Sequence, residues 1–389
     1  MPLGLCPILS GLVEDKISPQ ASVSRHLRLS DWLDRALFNS HRFCAFPNVN
    51  ALLFKWYIFP PKGPFQMLMN TFAALLAGFA LNIILGSPPG VLNLSHTIPL
   101  FNLKVENKLF RLYQNSSDAH RMAGVVLLML TLLVFAVIPA AVIILLYKPA
   151  PLLALVLDIL LCWQSFSVTE PASELDKLSR NLAIGRTDLA RTNLAKLTGS
   201  RCDDMTEDEL IKRGVEFSAD CCADNAAGAL FYMTLFGGIG GIVYKTVSLL
   251  RRTYSVRSSA SDDFGHAAHV IWTVLDFIPA HIAALISIFS ANIFGCSTEY
   301  CLTVYRRDRK SLKAAALAPC RCIYASALGI SLTPKSVMKN GFISIQTVGT
   351  EERPADAEDV LLSKEIMFAS AFFTMLLFAG IKLAVIILL

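Results

Sequence analysis

Long runs of apolar residues constrain this chain more than any other feature of its sequence. A helix needs about 20 residues to cross the hydrocarbon core of a bilayer. Most of the runs approach or exceed that length, but one is short and contains Asp158, so it is either a half-span or a buried helix. The runs cover residues 65–85, 122–147, 152–163, 230–250, 270–293 and 365–389.

The composition of the runs predicts helices. They are rich in Leu, Ala and Ile and do not alternate as strands do. Backbone groups in lipid must be bonded within the structure, which favours helices for such segments. A mean hydropathy of +0.52 with only 17% charged residues is high for a soluble protein. We therefore predict an all-α, polytopic integral membrane protein of the plasma (inner) membrane, with about five or six transmembrane helices.

Two large polar helical regions, 164–229 and 296–364, interrupt the apolar runs. Two spans separate them, so we expect both on one side of the membrane, and their Lys and Arg content predicts the cytoplasmic side. Residues 1–64 form a basic N-terminal extension, predicted to be either a surface amphipathic helix or disordered, ahead of a membrane domain at 65–389. The net charge of +5 is modest and no basic stripe carries interleaved aromatics, so we expect lipid rather than nucleic acid as a partner.

An acidic face lies just before the fourth apolar run. Thr206 with Glu209 three residues later predicts a capping box at the start of a helix. On that helix Glu216, Asp220 and Asp224 follow at i, i+4 and i+8, which places three carboxylates on one face.

Like charges at this spacing repel, so the acidic face favours a cationic partner: Mg²⁺, an arginine or a cationic substrate. The alternative is a solvated acidic face with Lys212 or Arg213 nearby.

Three further features carry weaker signals. The glycines at 237–241 have no preceding strand and no following Lys-Ser/Thr, so they predict close helix packing rather than a phosphate loop. Asp276, with Pro279 and His281 downstream, lies in an apolar run and is a candidate functional residue or an interfacial helix end. Asp158 is open to the same two interpretations.

Several motifs together resemble the CobD/CbiB family of membrane proteins, the adenosylcobinamide-phosphate synthases of cobalamin biosynthesis. The acidic face follows the family spacing R-A-x-x-E-x-x-A-E-N-x-x-D-G, and Ala229-Leu230-Phe231-Tyr232 follows its P-L-F-Y. Further matches lie at 237–241, 244–245, 264–268, 277–281, 189–191, 326–329 and in an opening motif at 81–88 with His96. The resemblance covers roughly residues 67–389.

The departures from the family pattern concern acids in particular. Asp220 stands for a Glu, and Asn82 and Ser87 stand for two Asp of the opening motif. Arg251 stands for an Asp after the glycine-rich span, and the family's R-L-D-D becomes residues 270–273, which include Trp272 and Thr273.

The resemblance implies an amide-forming enzyme that joins aminopropanol phosphate to a carboxylate of adenosylcobyric acid, with ATP and Mg²⁺. It implies catalytic or Mg²⁺-binding roles for Glu216, Asp220 and Asp224. It also implies a corrinoid substrate and other cobalamin-pathway proteins as partners. The alternative is a non-catalytic membrane protein with a regulatory or signalling role, as in AmpE-type proteins. The implied substrate contacts are His96, Arg191, Tyr232, Tyr244, Lys245 and His281.

Overall fold

A computed structural model describes residues 64–88, 90, 93–112, 117–255, 259–309, 318–332, 337–339, 342–344 and 347–388. Almost all of the predicted N-terminal extension lies outside these residues. The predicted all-α class is confirmed. Within the described ranges, β structure is limited to a hairpin of β1 (Val337–Lys339) and β2 (Phe342–Ser344), and to one bridge between Leu332 and Val348.

The helices before the acidic face form the first part of the bundle and the first polar region. In chain order they are α1 (Pro64–Leu85), α2 (Leu94–Leu112), α3 (Ser117–Leu132), a π-helical turn (Leu133–Val137), α4 (Ile138–Leu146), α5 (Pro151–Ser165), α6 (Thr169–Ala183) and α7 (Thr187–Thr198).

The remaining helices carry the acidic face and the last spans. They are α8 (Glu207–Cys221), a π-helical segment (Cys222–Gly228), α9 (Ala229–Ser255), α10 (Ser259–Ile293), α11 (Thr298–Asp308), α12 (Ala318–Leu328) and α13 (Ala357–Leu388).

Among the residues that the structure describes, six helical stretches are long and apolar enough to cross a membrane, which agrees with the predicted number. They are Phe65–Leu85, Ala119–Leu146, Pro151–Ala183, Glu207–Tyr254, Phe264–Ile293 and Ala357–Leu388. The short run with Asp158 is the first part of the third stretch, where α5 and α6 follow one another across a turn at 166–168.

The two polar regions meet through their helices. Leu175, Leu178 and Leu182 of α6 are buried, as their helical spacing requires. Helix α8 packs against α6 and α7 of the first polar region and against α12 and α13 from the later part of the chain. The acidic face of α8 therefore lies between elements that are far apart in sequence.

Helix α9 is broken inside the membrane span at Gly237, which has a φ of 67° and a ψ of −158°. The backbone N–H of Gly238, at the start of the second half, donates to Asp158 Oδ1 at 2.8 Å. Lys382 Nζ lies 3.5 Å from the carbonyl oxygen of Met233 in the first half, and its side chain is buried. A carboxylate and an ammonium thus lie at the helix ends whose partial charges they complement.

The glycine-rich stretch also packs closely, as predicted. A Cβ at Gly238 would lie 2.7 Å from the Asp158 carbonyl oxygen, and one at Gly241 would lie 2.9 Å from Ser165 Cβ. The break at Gly237 was not predicted, because close packing and helix breaking both select glycine.

We expect Gly238→Ala to lower the free energy of unfolding by about 1–3 kcal/mol, because the new methyl group would clash with the backbone of α5. Thermal unfolding of the detergent-solubilised protein would measure the change. Gly380→Ala is the matched control, since no atom lies within 4 Å of a Cβ built at that glycine in the last helix. Equal unfolding midpoints for the two variants would contradict the packing assigned to Gly238.

Candidate functional site

The acidic face begins where the capping box predicts. Thr206 accepts a hydrogen bond from the backbone N–H of Glu209, and the Glu209 carboxylate accepts one from the Thr206 N–H. The face points into the protein rather than into water: Glu216 is 2% exposed and Asp224 is 1% exposed. The solvated alternative is therefore wrong.

Arg321 of α12 binds the first two acids of the face. Its Nε lies 2.7 Å from Asp220 Oδ1 and its Nη2 lies 2.6 Å from Asp220 Oδ2, a two-pronged geometry that fits a guanidinium to a carboxylate. Its Nη1 lies 3.7 Å from Glu216 Oε2, and Arg213 Nη1 lies 2.5 Å from that oxygen. Burial alone would lower the pKa of Arg321, but Asp220 and Glu216 outweigh burial and raise this pKa above its usual value.

The third acid, Asp224, lies in the π-helical segment and binds two arginines of α9. Its Oδ2 is 2.9 Å from Arg251 Nη2 and 3.1 Å from Arg252 Nη2. Ser248 Oγ donates to the same oxygen at 3.4 Å. The Arg251 guanidinium also lies 3.7 Å from the centre of the Trp272 ring, a cation–π distance.

Two of the departures from the family pattern therefore touch one another. Arg251 and Trp272, which stand in family segments that carry Asp, form a stacked pair, and Arg251 also neutralises a retained acid. The charge reversal at 251 is thus compensated inside this chain.

These contacts decide which cation the acidic face meets. Each of its three carboxylates is within 4 Å of at least one guanidinium. Across the part of the chain that the structure describes, no group of three or more His, Cys, Asp or Glu side chains is arranged to hold a metal ion. In this arrangement Glu216, Asp220 and Asp224 do not fit a Mg²⁺ site, because a divalent ion would have to displace the arginines.

Lys245 lies beside this network and is 2% exposed. Its Nζ donates to Asn225 Oδ1, a neutral acceptor, at 3.3 Å. No carboxylate oxygen of the described residues lies within ion-pair distance of it. Arg252, Cys221, Glu170 and Asp224 are close enough to act on it electrostatically.

The two predicted tyrosines contact one another, and Tyr244 precedes Lys245 on α9. Tyr244 OH donates to Asp276 Oδ1 at 2.6 Å in a fully buried contact. Tyr232 stacks on Tyr244 with ring centres 5.3 Å apart and donates to the carbonyl oxygen of Leu275. Asp276 therefore faces the bundle interior, and it is not an interfacial helix end.

His96 of the opening motif lies at the protein surface beside Glu170. Its Nε2 is 3.1 Å from Glu170 Oε1, and Asn93 Nδ2 donates to the other carboxylate oxygen at 3.2 Å. The side chain of His96 is 64% exposed, so this group forms the outer part of the site.

Two predicted contacts are elsewhere. Arg191 donates to Asp188 and to the carbonyl oxygen of Met205. His281 Nδ1 is hydrogen-bonded to the carbonyl oxygen of Phe277, and its ring packs on the Phe277 ring. Among the described residues, neither side chain forms a hydrogen bond or an ion pair with Lys245, Arg251 or Arg252.

Three residues of the site were not predicted from the sequence: Arg321, Asn225 and Glu170. Arg321 is 101 residues from Asp220, and nothing in the local pattern of either helix indicates the pairing. In the sequence Arg251 stands out as a departure from the family pattern, but nothing there pairs it or Arg252 with Asp224, which both bind.

Comparison with known proteins gives one consistent result. A family profile described as CobD/Cbib protein matches residues 75–367. No solved structure is significantly similar to the chain.

Three curated relatives carry the name cobalamin biosynthesis protein CobD. The protein of Streptococcus sanguinis is 25% identical over 228 residues, which cover 59% of this chain and 72% of the relative. That of Listeria monocytogenes (strain F2365) is 24% identical over 261 residues, covering 67% and 83%. That of Clostridium perfringens is 23% identical over 306 residues, covering 77% and 95%.

Proposed function

Because this chain belongs to the CobD/Cbib family, we propose that it acts in cobalamin biosynthesis as an adenosylcobinamide-phosphate synthase. In this reaction the amine of aminopropanol phosphate and a carboxylate of adenosylcobyric acid form an amide, with ATP as the source of the driving force. The corrinoid is then the large substrate, and the plasma membrane is the proposed location.

The observation that supports this proposal best is the cationic cluster of buried Lys245, buried Arg251 and partly exposed Arg252 at the end of the acidic face. Both substrates are anionic, through a phosphate and a carboxylate, and two anions approach one another only where positive charge compensates them. Guanidinium groups suit carboxylate and phosphate oxygens because they offer paired N–H donors.

In this proposal the three acids are positioning residues. Glu216 and Asp220 hold Arg321, and Asp224 holds Arg251 and Arg252. Fixing the guanidiniums in advance lowers the cost of ordering them around a substrate. Tyr244, which precedes Lys245 on α9, and Asp276 form a buried polar contact, and the side chain of His96 is largely exposed.

Complementation tests the function. A bacterial strain that lacks its own synthase and is fed cobyric acid should grow in a cobalamin-dependent medium when it expresses this chain. Asp220→Ala and Glu216→Ala should abolish growth at equal membrane expression, because each removes a partner that fixes a buried arginine. Lys177→Ala, at an exposed lysine of α6, should leave growth unchanged. Absence of growth with the unaltered chain at normal membrane expression would contradict the proposed function.

A further inference from the structure

We propose that the site binds the phosphate group of a substrate directly through Lys245, Arg251 and Arg252, without a bridging divalent cation. The proposal rests on the proposed function for the identity of the phosphate, which belongs either to the phosphorylated amino alcohol or to ATP. The proposal concerns this chain in particular, because Arg251 and Trp272 stand here where the family pattern has aspartates.

The first step of the argument is the missing counter-ion of Lys245. An ammonium group taken out of water is costly unless an anion lies beside it. Lys245 is buried, and the structure gives it only the amide oxygen of Asn225. The acids that act on it electrostatically are already bound elsewhere: Asp224 by Arg251 and Arg252, and Glu170 by Asn93 and His96. A phosphate anion would supply the absent partner.

The second step is the crowding of cations beside Lys245. Arg251 and Arg252 share one oxygen of one carboxylate, Asp224 Oδ2. The Nε of Arg251 is buried and has no hydrogen-bond partner among the described residues. A buried N–H donor without an acceptor is rare in folded proteins, and a ligand oxygen is one of the few groups that can satisfy it.

The third step is access. The side chain of His96 is 64% exposed, that of Arg252 is 27% exposed and that of Arg251 is 9% exposed. Side-chain exposure therefore decreases from His96 through Arg252 and Arg251 to Lys245. Of the three cations Arg252 is the most exposed, so we place the entry of a small anion beside it, apart from the salt bridges of Arg321 to Asp220 and Glu216.

The fourth step excludes the metal-bridged alternative for this arrangement. Metal-bridged phosphate needs carboxylates with free oxygens pointing at the ligand. Here Glu216 and Asp220 face Arg213 and Arg321, and Asp224 faces the two arginines of α9 through Oδ2. Its Oδ1 has no hydrogen-bond partner among the described residues, but no group of three or more possible metal ligands forms around it there. Arg251 and Arg252, together with Lys245, are therefore the groups that can bind phosphate directly.

The test measures binding of inorganic phosphate to the full-length detergent-solubilised protein, by titration calorimetry and by the shift in the thermal unfolding midpoint. Binding is expected in EDTA and is expected to be unchanged when Mg²⁺ replaces EDTA. Binding that appears only with Mg²⁺ would overturn the proposal, and this comparison needs no variant. Aminopropanol phosphate and ATP are then used as competitors in EDTA. Whichever one displaces inorganic phosphate identifies the source of the phosphate group, and displacement by neither would overturn the proposal.

Lys245→Met supplies a second, independent readout. We expect its dissociation constant for inorganic phosphate to rise by about tenfold or more, because a charge-assisted contact is lost. Without phosphate, its unfolding midpoint should equal or exceed that of the unaltered protein, because an unpaired buried ammonium is removed. Lys177→Met is the matched control and should change neither quantity. Unchanged phosphate binding in Lys245→Met would overturn the assignment of Lys245.

The outcomes separate this proposal from the proposed function. Phosphate binding in EDTA together with failed complementation would leave the site proposal standing and remove the synthase function. Successful complementation with strictly Mg²⁺-dependent phosphate binding would do the reverse.

Discussion

Replacing Arg321 with alanine is expected to destabilise the protein by about 3–5 kcal/mol. The variant removes both N–H donors from Asp220 and leaves Glu216 with Arg213 alone. Glu216 is 2% exposed, so water cannot replace the lost partner without opening the contact between α8 and α12. Equilibrium unfolding in detergent, followed by far-ultraviolet circular dichroism, measures the loss.

Arg307→Ala is the matched control for this prediction. Arg307 also pairs with an aspartate, Asp308, but its side chain is 52% exposed, so we expect a change of about 0–1 kcal/mol. The double variant Arg321→Met/Asp220→Leu should recover much of the lost stability, because it removes the buried charges together. If Arg321→Ala proved no more harmful than Arg307→Ala, the buried pair would not hold the two polar regions together.

Replacing Asp224 with asparagine is expected to cost a similar amount, about 3–5 kcal/mol, when measured in EDTA. The change keeps the size of the side chain but leaves Arg251 and Arg252 adjacent to one another without their shared carboxylate. Arg251 is held against Trp272 and cannot swing into water without leaving the ring. Adding Arg251→Gln to Asp224→Asn should restore part of the stability, because it removes one of the two positive charges that lose the Asp224 carboxylate.

The sign of the Asp224→Asn effect separates two accounts of the acidic face. In a metal site, three carboxylates repel one another when the metal is absent, so removing one charge stabilises the protein in EDTA. In the arginine-bound arrangement, removing the same charge destabilises it. A stability gain for Asp224→Asn in EDTA would contradict the arrangement of Arg251 and Arg252 described above.

The spans and the start of the acidic helix could be predicted because their causes are local. Apolar length is a property of consecutive residues, and each predicted run lies within one of the six stretches or overlaps it closely. The capping box joins residues three apart, and both of its hydrogen bonds form. The burial of Leu175, Leu178 and Leu182 follows from the same short-range spacing.

Neither the break in α9 nor the π-helical segment could be predicted from the sequence. Gly237 has a positive φ, but a glycine among glycines predicts a close approach equally well. The π-helical segment at Cys222–Gly228 carries Asp224 in a non-α geometry, so the spacing of i, i+4 and i+8 describes only the first two acids on a regular helix. Tertiary packing decides both features.

The residues of the site could be predicted only in part, because tertiary packing also decides which of them meet. A repulsive acidic face implied a cation, and arginine was one of the three that the pattern allowed. Which arginine it was depended on helix α12 reaching α8 across 101 residues of chain. The resemblance brought Tyr232, Tyr244 and Lys245 into the site through matched positions, and it brought in Arg191 and His281, for which the described residues show no contact with the cluster.

The central claim is that this chain forms an amide between aminopropanol phosphate and adenosylcobyric acid. The most direct measurement incubates the purified protein with both substrates and ATP and follows the corrinoid by mass spectrometry. The account predicts a product with the mass of the two substrates less one water, and its loss in Asp224→Asn. An unchanged corrinoid mass, under conditions in which a synthase of known activity gave the product, would contradict it.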